Sequence, residues 1–242
     1  MESRRTIFVS MMFVVMLAAC SPADPVPVEN AVLEQVQEAP PAQATPEAEN
    51  EADLASEPEE PAAVEGMLVL LIVNEGTEAR FMIDEVLRGE PKTVVGATDK
   101  VTGEIRVDLE DLSATEVGLI TIEAGALKTD NNFRNGAIEN FILQTGSFPL
   151  ITFSPTSIEG IPVEVAVGDS FTFNLSGDLT IRESTQLVTF SVNVTVPSET
   201  EIQGSAVTTV LRGDFGLTIP SVPQVASVSE EVFLELDFTA TR

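Results

Sequence analysis

Three features of this 242-residue chain predict an all-β domain, either a two-sheet sandwich or a closed barrel. From residue 66 onward, about eight runs rich in Val, Ile, Leu, Phe and Thr alternate apolar with polar residues, the period of a strand with one buried face. Gly, Asn, Asp and Pro punctuate these runs at even intervals. Only one stretch, Asp130 to Leu143, has helical spacing.

The chain before residue 66 is different in kind. Arg4 and Arg5 precede an apolar run, Ile7 to Ala19, broken only by Ser10. It is short for a bilayer span and ends in small residues, as a secretory signal peptide does. Its last four residues, Leu17-Ala18-Ala19-Cys20, resemble the lipobox of bacterial lipoproteins. In that family the cysteine thiol takes a diacylglycerol thioether, the chain is cut before it and the new amine is acylated. Cys20 is the only cysteine present. Residues 1–20 are therefore expected to be a lipoprotein signal peptide, with Cys20 as the lipidation site and membrane anchor. Residues 21–65 hold twelve acids and no base among Pro, Ala and Gln, too little apolar mass to fold. They read as a disordered acidic linker, with at most a helical turn over Ala31–Glu38 before Pro40-Pro41.

The domain, residues 66–242, then unfolds strand by strand. Met67 to Val73 is a short apolar strand, and Asn74-Glu75-Gly76-Thr77 breaks it. Ala79 to Val86 resumes with Phe81, Ile83 and Glu85 on one side, and Gly89-Glu90-Pro91 turns. Thr102 to Leu109 turns Ile105, Val107 and Leu109 inward, and Val117 to Glu123 is another strand. Asp108, Glu110 and Asp111 lack the glycine and spacing of a calcium loop and read as a solvated turn. Asp130 or Asn131 caps a short helix whose apolar face is Phe133, Ala137, Ile138, Phe141 and Ile142. Strands follow at Leu150 to Phe153, Val163 to Val167 and Phe171 to Leu175, the last two joined at Gly168-Asp169 as a hairpin. A longer hairpin spans residues 177–196, from Leu179–Arg182 through Glu183-Ser184-Thr185 to a stripe of Val188, Phe190, Val192, Val194 and Val196. Ile202 to Leu211, a turn at Arg212-Gly213-Asp214, Phe215 to Ile219 and Val232 to Ala240 complete the set. The last strand directs Val232, Leu234, Leu236 and Phe238 inward.

Charge and missing residue types exclude several functions. The net charge is -27, and residues 66–242 carry 26 acids against 10 bases, which repels nucleic acid and anionic headgroups. With no His and one Cys, Ser-His and Cys-His catalysis and imidazole or thiolate metal sites are excluded, as is a disulfide within the chain. Three classes remain: a carrier of a long apolar molecule, a packed interaction module, and an enzyme using paired carboxylates. For the last, Asp178 with Glu183 or Asp214 are the candidates, and acids at strand ends and turns are ordinarily solvated. No enzyme and no metal site is expected.

Several segments resemble the YceI-like polyisoprenoid-binding proteins. They are Leu127-Lys128-Thr129-Asp130 with Phe133-Arg134-Asn135, and Phe148-Pro149-Leu150-Ile151-Thr152-Phe153. Gly177-Asp178-Leu179-Thr180-Ile181, Val188-Thr189-Phe190 and Asp214-Phe215-Gly216-Leu217 follow in the family's order. The chain departs from the family at Asn74–Thr77, at Arg134-Asn135, and at Arg182-Glu183-Ser184, where the family's turn has a glycine. The resemblance implies an antiparallel eight-stranded lipocalin-like barrel, a helix across one end, and an elongated cavity for an isoprenoid or fatty chain. The lining it implies is Phe81, Ile83, Ile105, Val107, Phe141, Phe153, Phe171, Phe173, Val188, Phe190, Val192, Phe215, Leu234 and Leu236. Apart from a bound polyprenyl or fatty-chain lipid, no cofactor is expected. The protein is expected to be secreted across the cytoplasmic membrane and anchored to the cell envelope through Cys20.

Overall fold

The structure, a computed structural model, describes residues 66–242. The signal peptide, Cys20 and the linker with its helical turn at Ala31–Glu38 lie outside the described residues. The strands are β1 (Met67–Leu87), β2 (Glu90–Thr98), β3 (Val101–Thr102), β4 (Glu104–Asp108), β5 (Glu116–Val117), β6 (Ile120–Glu123), β7 (Leu150–Glu159), β8 (Ser170–Ile181), β9 (Ser184–Ser198), β10 (Glu201–Leu211), β11 (Val225–Val228) and β12 (Glu231–Thr241). A short helix, α1 (Asn132–Ala137), sits between β6 and β7.

All the pairings are antiparallel, in the order β3-β6-β7-β8-β9-β10-β12-β1-β4-β5. The two ends of that path meet. β3 and β4 are one strand interrupted at Gly103, whose carbonyl accepts from Ile72 N at 3.0 Å. β3 pairs with β6, while β4 pairs with β1 and β5. Counting β3/β4 and β5/β6 once each gives an eight-stranded closed barrel, the architecture the resemblance implies. β2 and β11 flank the far half of β1 as extra strands.

Several elements differ from the sequence reading. Asn74–Thr77 does not end the first strand. It is a bulge inside a 21-residue β1, where pairing to β12 jumps between Val73 and Glu78. Gly76 takes φ 78°, and buried Thr77 accepts the Thr239 N–H on Oγ1 at 3.1 Å, so the bulge leaves that donor satisfied. β2 and β11 went unread: nine-residue β2 opens on Glu90-Pro91, which reads as a turn, and β11 has only four residues. The predicted strands Phe171–Leu175 and Leu179–Arg182 are one strand, β8, and its turn to β9 is Arg182-Glu183. Val163 to Val167 is a loop, because at that end β7 and β8 already pair with each other and leave no free edge. The predicted hairpin at Gly168-Asp169 is therefore absent. Phe215 to Ile219 is not a strand either: Arg212–Phe215 forms a 3-10 turn that Gly216 ends at φ 64°.

Asn131 caps α1 by accepting from Phe133 N and Arg134 N, and the chain continues as a wider π-type turn over Ile138–Ile142. The helical face is rotated by one residue from the predicted one. Residues 134, 138 and 142 face the barrel, while Phe133 (93% exposed) and Phe141 (64%) face solvent. Asp108–Asp111 is a turn held by its own side chains: Asp108 Oδ1 accepts from Glu110 N and Asp111 N.

Candidate functional site

Alternation in eight strands turns one apolar face of each toward a common axis. Not all of that space is filled. A cavity of about 690 Å³ runs through the barrel, lined mostly by aliphatic and Phe side chains. Leu70, Ile72, Val192, Val194 and Ala240 are sealed in the wall. Phe81, Phe171, Phe173, Phe190, Leu234 and Leu236 also point inward yet stay only partly buried, because they border the cavity. Phe153 and Phe190 meet edge to face, with ring centroids 5.0 Å apart, and Phe171 stacks beside Phe173 at 6.0 Å.

The two ends of the barrel differ. At the end where β1 begins, loops 109–115, 160–169 and 199–200 surround the cavity. Leu109 and Val167 line the cavity and are still 64% and 54% exposed, which places the mouth there. The other end is plugged by α1 and its continuation, with Ile138 and Leu143 buried and Ile142 on the cavity. The plug is tied down twice. Arg182, at φ 57° in the β8–β9 turn, lies over the Phe148 ring at 5.7 Å and donates from Nη1 to the Ile142 carbonyl at 3.3 Å. On the opposite side Arg134 donates from Nη2 to Glu85 Oε1 at 2.8 Å and from Nη1 to Asp130 Oδ1 at 2.6 Å. Lys92 Nζ donates to the other Asp130 oxygen at 2.7 Å. That hydrogen bond, with a smaller contribution from Arg134, holds the Asp130 carboxyl below the usual range.

Of the fourteen residues expected to line the cavity, Phe81, Ile83, Ile105, Val107, Phe153, Phe171, Phe173, Phe190, Val192, Leu234 and Leu236 do so. Three do not. Phe141 lies on the solvent side of the helical plug, for the rotational reason given above. Val188 and Phe215 are buried in packed core beyond the cavity wall. The expected lining left out Val94 of β2, the plug residues Ile138 and Ile142, which were read only as part of the helix's apolar face, the mouth residues Ile161, Val165 and Val167, and above all Arg134. Glu85 was visible as an acid at an inward position, though without its partner. Asp178, Glu183 and Asp214 are all exposed.

The YceI-like domain family matches residues 71–240. No curated protein matches the chain in sequence. Solved structures that share the fold include the following two. BcnA from Burkholderia cenocepacia is 18% identical over 70% of this chain and 99% of its own, with a TM-score of 0.57. A polyisoprenoid binding domain from Saccharophagus degradans, implicated in plant cell wall breakdown, is 15% identical over 72% of this chain and 98% of its own, with a TM-score of 0.56.

Proposed function

This chain belongs to the YceI-like family, and from that premise we propose that it is a non-catalytic carrier that holds an isoprenoid or other long apolar chain inside its barrel. The cavity is the observation that carries the reading. Open to water through its mouth, about 690 Å³ of apolar-lined space keeps apolar wall wet, which is unfavourable by roughly 25 cal/mol per Å². An occupant removes that cost, and the near-absence of polar lining away from the two ends selects an apolar one. If each carbon fills roughly the 30 Å³ of a water molecule, the space takes roughly 20–25 carbons. That is four to five isoprene units, and a longer chain would trail out of the mouth. The polyisoprenoid binding domain from Saccharophagus degradans supports the same reading.

The full chain, purified and extracted with organic solvent, is expected to yield a long-chain lipid by mass spectrometry, or to gain thermal stability when given a C20 prenol. A protein that emerges empty and ignores added lipid would overturn the carrier reading. The same proposal places the domain outside the cytoplasmic membrane, exported by residues 1–20 and anchored through lipid on Cys20. Cys20→Ser is expected to move the protein from the membrane to the soluble fraction; retention in the membrane fraction would refute the anchor.

A further inference from the structure

Almost all of the cavity wall is apolar, and a buried carboxylate at its plugged end is out of keeping with that wall. Glu85 is there nonetheless, 8% exposed, at an inward position of β1 and on the cavity lining. Its ion pair with Arg134 ties the plug to β1, but such a pair is weak evidence of a purely stabilising role, since apolar pairs of similar volume often do as well. The pair is also incompletely used. Glu85 Oε1 accepts from Arg134, but Oε2 accepts from no side chain among the described residues and is not sealed from contact. Arg134 has committed only Nη1 and Nη2 to its two carboxylates. Asp130 and Lys92, which complete the cluster, lie on its more exposed side. The cavity therefore ends at a buried carboxylate that keeps an unused acceptor and is backed by a guanidinium, with apolar wall leading up to it.

We propose that this plugged end is a headgroup subsite for a neutral hydroxyl. The long chain enters head first, its terminal O–H donates to Glu85 Oε2, and Arg134 is the nearest donor to its oxygen. The tail runs back toward the mouth. This rests on the carrier reading and names its ligand class: long-chain apolar alcohols. A carboxylate head brings a second negative charge against Glu85 in a low-dielectric pocket. A plain hydrocarbon leaves Glu85 Oε2 without a donor where water has been displaced.

The test compares three probes of about equal length on the full chain: geranylgeraniol, geranylgeranoic acid and phytane. Each displaces N-phenyl-1-naphthylamine, whose emission is read without background because the chain has no Trp or Tyr. The alcohol is expected to bind about tenfold tighter than either competitor, the worth of one hydrogen bond to a charged group. In Glu85→Gln the repulsion is gone, so the alcohol-to-acid ratio is expected to fall to about one. If all three probes bind the native protein within threefold, the carrier reading stands and the headgroup subsite falls. If none binds, both fall. An unchanged alcohol-to-acid ratio in a folded Glu85→Gln protein also overturns the subsite, and the native ranking decides the matter if that variant does not fold.

Discussion

Replacing Ala206 with phenylalanine sets packing and binding against each other. Ala206 sits on β10 between Val192 of β9 and Leu236 of β12, and all three line the cavity. A phenyl ring there adds six carbons to the lumen, about 180 Å³ at the water-equivalent volume used above, or about a quarter of the space. A bound chain loses contact with about six of its carbons, a gross loss of about 5 kcal/mol at ~0.8 kcal/mol per methylene. Roughly half of that is offset because the displaced part of a flexible chain no longer has to be ordered. Affinity for a C20 prenol is then expected to fall by about 30- to 150-fold. Stability moves the other way or not at all. The added ring covers apolar wall that is otherwise wet, against which about 1–3 kcal/mol of rotamer strain is set. Urea unfolding of the lipid-free protein and probe displacement would be measured on the same preparation. A folded Ala206→Phe protein that binds lipid within threefold of the native one would show that the lumen is not where the chain goes.

Gly204→Ala is expected to destabilise by about 2–3 kcal/mol in urea unfolding, because its Cβ would stand 2.5 Å from the Asn193 carbonyl oxygen and 2.8 Å from Phe238 Cζ. Gly136→Ala, in α1 with nothing within 4 Å, is expected to stabilise by about 1 kcal/mol; the same sign for both would refute the close-approach argument. Arg134→Met strands Glu85 as a buried, unpaired charge and should cost about 3–5 kcal/mol by the same assay, whereas a loss below 1 kcal/mol would mean that Glu85 finds other solvation. The Asp130 carboxyl is held below its unfolded value by Lys92 first and then Arg134, so its contribution is present at neutral pH and lost as pH falls through the depressed folded value. Asp130→Asn should therefore lower the melting temperature at neutral pH, and the gap to the native protein should close on acidification; a gap that widens would reverse the sign of that linkage.

The strand framework was legible because alternation is a local signal. Phe171-Thr172-Phe173 and Val188 to Val196 announce their strands without reference to any neighbour, and both stretches are strand, the first within a longer β8 than was read. The failures all depended on tertiary partners. Ile161, Val163, Val165 and Val167 alternate as well as any strand, but their ladder had no open edge, and three of the four went to the cavity mouth. In the helix, size misled: Phe133 and Phe141 look like the buried stripe, while the stripe that faces the cavity begins with a cation, Arg134. A periodicity argument rejects that residue. It becomes acceptable only once Glu85, 49 residues away, is known to be waiting.

Whether an eight-stranded barrel is solid or hollow depends on where its large side chains lie, since its lumen is just wide enough to be filled by them. Here several Phe rings are drawn onto the wall by glycines beside them. Phe81 lies against Gly96, its cross-strand partner, so closely that a Cβ would meet the ring at 2.2 Å. Phe238 lies over Gly204, also its partner, and Phe153 lies against Gly177, each leaving 2.8 Å for a Cβ. Each ring covers bare backbone, the arrangement by which an aromatic compensates a glycine in a sheet. Each is thereby kept from the axis it could have filled. Ala79, Ala206 and Ala240, all inward and small, add to the clearance. The clearance of the lumen is thus written into the pairing register: a one-residue slip of β12 against β10 would take Phe238 off Gly204 and turn the β12 side chains to the other face. The hollow and the fold are specified by the same contacts.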